Sequence, residues 1–461
     1  MLRRIRPRLA AAAAALVTLS AVGCFGLTGS MVHPPSPTVA GIAPGDIADL
    51  AAESDALQLL DPESLFKLAE IIRTENRPTT PPPKRSVLVL SGGGAYGAYT
   101  AGILVGWTGT GRRPQFDTVT GISTGAMIAP LAFLGSAYDK QLQELYTQVR
   151  QDELYIVRKS IRTLFSTALA DNKPLVQKLE AMVTPGLLAA VAEEHAKGRR
   201  LYIGTTELDG RRQVVWDMGA IAARGTPADL DLFRHVILAS AAIPGFFPPV
   251  PIPVDIDGKV YEERHVDGGV TASLFFRPPW IPPERRSDPS FSSLHGTDLY
   301  IVVAGKLYPD PEPVKARALA IAAAGVSTLL YSAARNDTRQ LYMACVLTGM
   351  NYNLTAIPAA TPVTIASTDF DPVEMRKLFD LGVREVTTKV CWRTTPPGLE
   401  RGEGISLRAG THLTRTGTAR VVPKQDDMAP GPLLFRPPGP LLFRLPDAKV
   451  MPVAPGEIKK Q

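Results

Sequence analysis

Twice between residues 86 and 134, an apolar β-like run ends in glycine and opens into a helix of small residues. The first runs from Ser86 through Val87-Leu88-Val89-Leu90 into Ser91-Gly92-Gly93-Gly94-Ala95-Tyr96-Gly97, with a helix to about Trp107. The second runs from Phe116–Thr120 into Gly121-Ile122-Ser123-Thr124-Gly125, with an Ala/Met/Ile/Leu helix to Leu134. Unbroken apolar runs of this kind belong to strands buried on both faces. Strands that alternate with helices build a mainly parallel α/β sheet, because the crossover has to be long enough to return the chain to the same end.

The rest of the chain keeps that rhythm. Residues 46–76 carry helical spacing, with Asp61-Pro62-Glu63-Ser64 as a break and restart. Tyr138–Val149 is amphipathic, and residues 152–198 read as helical with breaks at Asp171-Asn172 and Pro185-Gly186. Leu201–Leu208 and Arg211–Met218 read as strands joined by a two-residue hairpin at Asp209-Gly210. Leu230–Ala242 reads as a helix ending at Ile243-Pro244-Gly245, and Asp257-Gly258 as a second hairpin turn whose outgoing strand delivers Asp267-Gly268-Gly269. Asp298–Gly305 is another buried strand, residues 313–347 a long helical region, and Asp371-Pro372 the cap of a further helix.

The ends differ in character. Arg3, Arg4, Arg6 and Arg8 precede an apolar run from Leu9 to Val22, which is short for a bilayer span and has the form of a secretory leader over residues 1–23. Ala21-Val22-Gly23-Cys24 resembles a bacterial lipobox, which implies acylation of Cys24 and an exported protein anchored in the cell envelope, with ordinary secretion as the alternative. Taking those four arginines from the 50 basic residues leaves 46 against 44 acidic ones, so the basic balance of the whole chain offers no footing for nucleic acid. Residues 24–84 read as a spacer and helical extension, 85–392 as the main domain, and 393–461 as a Pro/Gly-rich, largely disordered tail in which Gly-Pro-Leu-Leu-Phe-Arg occurs at 431–436 and 439–444. Cys345 and Cys391 would be free to pair in an oxidising compartment or to stay as buried thiols.

Three features bear on chemistry. Ser123 stands between glycines on a strand–helix junction, the arrangement of a nucleophile elbow. The Gly92-Gly93-Gly94 loop offers main-chain N–H groups to an anion at a helix start. Asp267 ends a strand and is followed by two glycines, so its carboxylate is offered with little cover. The base for the serine is either this carboxylate or a histidine, and among the six histidines His265, two residues before Asp267, is the candidate.

Four ordered blocks, Gly-Gly-Gly-Ala-Tyr-Gly at 92–97, Gly-Ile-Ser-Thr-Gly at 121–125, Ala-Ser-Ala-Ala-Ile-Pro at 239–244 and Asp-Gly-Gly at 267–269, resemble those of bacterial patatin-like phospholipases over roughly residues 85–392. The resemblance implies a three-layer α/β/α fold and a Ser–Asp dyad, with Ser123 as nucleophile, Asp267 as base, and Gly92, Gly93 and Gly94 as the oxyanion hole. It also implies acyl esters of lipids as substrates, with no metal and no cofactor. Tyr96 stands where the family usually has Arg or Lys, which bears on phospholipid preference more than on ester hydrolysis.

Two rival readings remain. Gly92, Gly94 and Gly97 also fit a dinucleotide-binding loop, with Asp117 as the ribose acid. An envelope lipoprotein that binds acyl chains or a partner without catalysis would use the same fold.

Overall fold

The computed structural model describes residues 84–158, 168–256, 258–276, 294–310, 313–388, 391–399, 411–414 and 417–420, with positions 67, 70, 71 and 74 of a helix before them. The expected leader over residues 1–23, Cys24, most of the 24–84 extension and the duplicated tail segment lie outside the described residues. In chain order the elements are β1 (Ser86–Leu90), α1 (Gly97–Gly109), β2 (Thr118–Gly121), α2 (Thr124–Leu134), α3 (Asp139–Thr147), β3 (Ile156–Val157), β4 (Ala170–Asp171), α4 (Lys173–Met182) and α5 (Pro185–Ala196). They continue with β5 (Arg200–Glu207), β6 (Arg212–Asp217), α6 (Met218–Arg224), α7 (Pro227–Ser240), β7 (Val250–Ile256), β8 (Lys259–Asp267), β9 (Asp298–Val303), α8 (Ala318–Thr348), β10 (Asn351–Ala356), α9 (Pro372–Thr387), β11 (Thr411–Thr414) and β12 (Gly417–Arg420).

The central sheet runs β10-β9-β1-β2-β5-β8-β7, with β6 on the other edge of β5. β10, β9, β1, β2 and β5 are mutually parallel, and β6, β7 and β8 add antiparallel pairs at one side. β1 is buried at every residue, and its alternate side chains feed two separate cores. Leu88 and Leu90 join the cluster built with α1, α2 and α9, whereas Val87 and Val89 join Leu341, Tyr342 and Cys345 of α8. Helices therefore cover the sheet on both faces, the α/β layering that the alternating sequence predicts.

Local chemistry sets the helix starts. Asp371 accepts from the N–H groups of Val373 and Glu374, with Pro372 in the first turn. Thr226 and Asp229 close a capping box ahead of α7.

The structure departs from the sequence reading at four places. Past a single 3-10 turn at Gln151–Glu153, residues 154–171 are not helical where described; β3 and β4 pair as a short antiparallel ribbon before α4 begins. The turn at Asp209-Gly210 is not a two-residue hairpin, because β5 and β6 pair as far as Glu207↔Arg212 and leave a four-residue loop between. The Glu207 carboxylate holds that loop, accepting from the N–H groups of Asp209 and Gly210, each at 2.9 Å. β10 is a sheet strand that the sequence reading lacks. Beyond residue 392, Arg393 bridges to Leu354 and Leu399 is buried in the second core, while Thr411–Thr414 and Gly417–Arg420 pair as a hairpin. Among the described residues, Cys345 and Cys391 are both buried and are not joined by a disulfide.

Candidate active site

Two strand ends meet head-on along one edge of β5. The first half of β5 pairs with β2, up to Gly121↔Ile203. The second half pairs with β8, which arrives from the opposite direction and ends at Asp267↔Thr205. β6 spans both halves from the far edge, so β2 and β8 share the near one. Only Gly204 separates the two terminations. This topology brings together residues 123 and 267, remote in the chain, because each lies at or just beyond its strand's last paired residue.

At the end of β2 the chain turns sharply into α2. Ser123 takes φ 55° and ψ −122°, a strained combination for a residue with a side chain. The turn closes so tightly that a methyl at Gly121 would stand 2.4 Å from the Gly125 carbonyl oxygen, and one at Gly125 would stand 2.6 Å from that of Leu90. Glycine at both positions is a packing requirement of the elbow. The Ser123 N–H donates to the Ser240 hydroxyl at 3.0 Å, and that hydroxyl donates to the Gly204 carbonyl at 2.7 Å.

Asp267 is buried, and its carboxylate accepts the Ser123 hydroxyl. Its Oδ1 also accepts the Gly269 N–H at 2.7 Å, and its own N–H is held by the Ala242 carbonyl at 2.9 Å. Burial pushes its pKa up to about 6; the two hydrogen bonds to the carboxylate pull the other way and offset only part of that cost.

The glycine loop lies against the serine. A methyl at Gly92 would stand 3.0 Å from Ser123 Cβ, and one at Gly93 would stand 1.9 Å from the Ala304 carbonyl oxygen. Ser91 ties this loop to the exit of β9: its hydroxyl donates to the Gly92 carbonyl at 2.7 Å and accepts the Ala304 N–H at 2.8 Å. Among the described residues no acceptor takes the N–H of Gly92, Gly93 or Gly94. Three donors without partners beside a strained serine could hold an oxyanion.

Over Ser123 opens a cleft of about 630 Å³, counting the space open to solvent. Its walls are apolar, from Met127, Leu154, Tyr155, Leu175, Phe246 and Met375 among others. An apolar lining of this kind suits a hydrocarbon chain. Tyr146 closes one side, its hydroxyl bonded to that of Thr124.

The structure leaves His265 out of this arrangement. Its ring nitrogens are engaged by Thr205 Oγ1 at 3.0 Å and Glu263 Oε2 at 3.1 Å, and its ring meets Trp216 edge-on. Burial lowers its pKa, against the pull of Glu263. Asp117 likewise serves the backbone: it accepts the Ser86 N–H at 2.8 Å, at the opposite end of β1 from the glycine loop, where no ribose bound to that loop could reach it. Tyr96 sends its hydroxyl to the Ile365 carbonyl at 2.8 Å, so the position brings no cation to the loop. Among the described residues no group of three or more His, Cys, Asp or Glu side chains could hold a metal ion.

Sequence reasoning treated Ser240 as part of a structural helix end and passed over Ser91. Both serve the site through hydrogen bonds to its main chain, and the only sequence signal for Ser240 is its place in the third of the four blocks.

Residues 88–280 match the family model described as patatin-like phospholipase. A 65-residue stretch is 48% identical to the cUMP-AMP-activated phospholipase of Escherichia coli, covering 13% of this chain and 20% of that protein. The chain thus matches about a fifth of that relative's length. The crystal structure of VipD from Legionella pneumophila aligns over 68% of each chain at 12% identity, with a TM-score of 0.32, too low to add to the fold described above.

Proposed function

We propose, for a chain that carries a patatin-like phospholipase domain at residues 88–280, that it is a serine acyl hydrolase acting on lipid esters through Ser123 and Asp267. One contact carries the reading: the hydroxyl of a strained, glycine-flanked serine donates to a buried carboxylate, beside three unpartnered N–H groups and beneath an apolar cleft.

In this mechanism Ser123 Oγ attacks the ester carbonyl carbon while its proton passes to Asp267. The carbonyl π pair moves onto oxygen, and the N–H groups of Gly92, Gly93 and Gly94 hold the oxyanion. As the tetrahedral adduct collapses, the ester C–O bond breaks and the leaving alkoxide takes the proton from Asp267. Water then attacks the acyl-serine with Asp267 again as base, releasing the fatty acid and restoring Ser123. The acyl chain lies along Met127, Leu175 and Phe246, and the carbonyl sits at the elbow.

The test is labelling with a fluorophosphonate, together with hydrolysis of phospholipids, lysophospholipids, neutral glycerides and short esters. Labelling at Ser123, and loss of turnover in folded Ser123→Ala and Asp267→Asn proteins, is the expected result. An inert serine in folded protein would favour an acyl-chain-binding module, and an active Asp267→Asn would end the dyad. We further propose that Cys24 is acylated and holds the exported protein at a membrane, on the strength of the basic and apolar stretch before it. Incorporation of labelled palmitate that disappears in Cys24→Ser tests this.

A further inference from the structure

α8 is longer than the sheet it packs on. It follows β9, whose exit at Ala304 touches the glycine loop, and it leads into β10, which is parallel to β9. The helix therefore begins at the active-site end of the sheet and runs back to the other end. β9 and β10 span about 20 Å at about 3.3 Å per residue, which about 13 residues of helix cover at about 1.5 Å each. Counted back from the end of α8, that reaches Arg335, and burial begins there: Arg335, Thr338, Arg339, Leu341, Tyr342, Cys345 and Val346 are buried.

Residues 331–334 are half-buried, with Tyr331 near Tyr96 and Asp310. Residues 318–330 are left over and extend about 20 Å further, on the side where Ser123 and its cleft lie. No charged residue occurs between Arg317 and Arg335. Ile321, Val326 and Leu329 are 58%, 56% and 69% exposed, and Leu330 is exposed beside them. A helix that is apolar around its circumference is not at home in water.

Two more exposed apolar groups belong to the cleft's own rim. Ile156, Val157 and Leu169 project from the β3–β4 ribbon. That ribbon continues directly from the wall residues Leu154 and Tyr155, and Ala170 hydrogen-bonds the carbonyl of Phe246. Val373 is exposed between the wall residues Phe370 and Met375.

We propose that the projecting half of α8, together with the β3–β4 ribbon and Val373, is the surface by which the protein seats its cleft on a lipid–water interface. The occupant is a lipid surface because the apolar groups belong to the end of the sheet through which a lipid enters. Lys315 and Arg317, exposed at the foot of the helix, stand where lipid phosphates would lie. No single helix among the described residues is long and apolar enough to cross a membrane, and the proposal places α8 along the interface. The inference rests on the proposed lipid hydrolysis for its choice of occupant, and is tested without it.

The full chain is made with Leu329→Cys and, separately, with Leu347→Cys at the opposite end of α8. Each is labelled with an environment-sensitive fluorophore and mixed with phosphatidylcholine vesicles containing spin-labelled acyl chains. The unsubstituted chain, labelled in parallel, reads any reaction at Cys24. The expected result is a blue shift and quenching at 329 with no change at 347. In parallel, a Val326→Glu/Leu330→Glu double variant should lose at least about tenfold in hydrolysis of vesicle lipid and keep its turnover of a dissolved short ester. A label at 329 that stays water-like in vesicle-bound protein overturns the proposal, as does protection at 329 that follows self-association without vesicles. Absence of turnover on either substrate would instead count against the hydrolase reading, leaving the penetration result to stand by itself.

Discussion

The Ser240 hydroxyl bridges the main chain of Ser123 to that of Gly204, accepting the Ser123 N–H at 3.0 Å and donating to the Gly204 carbonyl at 2.7 Å. It is fully buried, at the point where β2 and β8 terminate against β5. A serine in the last turn of α7 thus sets the height of the elbow above the sheet.

Ser240→Ala leaves a buried N–H and a buried carbonyl without partners, each costing about 1–3 kcal/mol. Part of that appears as lost stability and part as a misplaced nucleophile. We expect kcat to fall about ten- to a hundredfold with KM little changed, because the apolar cleft is untouched. A purely structural role would lower the melting temperature and leave kcat per folded molecule intact, so steady-state kinetics beside a thermal melt separates the two.

The pH profile follows from Asp267. Burial raises its pKa to about 6. Below that value the carboxyl is protonated and cannot take the Ser123 proton; above it the base is available. The rate at saturating or subsaturating substrate should rise with pH through about 6 and level off above it, with no second ascending limb from a histidine. Asp267→Glu, if active, should move the limb, whereas His265→Gln should leave it in place, since His265 contacts Thr205 and Glu263 but not the dyad.

The same shift has a consequence for stability. A carboxyl whose folded pKa lies above its ordinary value contributes stability only while protonated, and loses it as pH rises through the folded pKa. Keeping Asp267 charged at pH 8 therefore costs up to about 3 kcal/mol, a shift of about two pH units. Asp267→Asn should be inactive yet at least as stable as the parent at pH 8, with the difference shrinking at pH 5. Denaturant melts at both values check it, and equal destabilisation at both would show the carboxylate to be a net structural asset.

How far the site could be read in advance depended on where its information lies. Ser123 and Asp267 are flanked by glycines at strand ends, and that mark survives in one dimension. The convergence of β2 and β8 on a shared edge of β5 depends on pairing between segments remote in sequence, and no local pattern encodes it. Beyond its place in the third block, Ser240 left no trace of its role, because a serine in a helix looks the same whether its hydroxyl meets solvent or a strained N–H. The β5–β6 connection was misread because a side chain from the strand, that of Glu207, caps the loop and overrides the preference of the Asp-Gly pair. β3 and β4 pair over two residues each, too few for alternation to register. α8 was legible as a helix, but its overhang became visible only once the length of the neighbouring strands was known.

Gly93 tests the loop. It has φ 155°, and a methyl there would meet the Ala304 carbonyl oxygen at 1.9 Å, with the carbonyl carbon and Cβ of Ala304 next nearest and no flexible side chain to give way. Gly93→Ala must move the loop or the exit of β9, and either displaces the N–H groups beside Ser123. Loss of one oxyanion donor costs about a hundredfold or more in kcat, so turnover should fall at least that far. Binding of a non-hydrolysable acyl amide, measured by calorimetry, should change much less, because the apolar side chains of the cleft walls come from other elements.

Met127 tests the cleft. It lies one turn into α2 from Ser123, half-buried, with its side chain on the wall of the cavity. A tryptophan there fills space that a long acyl chain needs and a short one does not. One or two methylenes excluded from an apolar pocket are worth about 1–3 kcal/mol of discrimination, roughly ten- to two-hundredfold. Met127→Trp should therefore lower kcat/KM for palmitoyl esters by about that factor relative to butyryl esters, with butyryl turnover near the parent value. An equal loss on both chain lengths would mean that the substitution disturbs the elbow. An unchanged ratio would mean that the acyl chain leaves Ser123 along another wall.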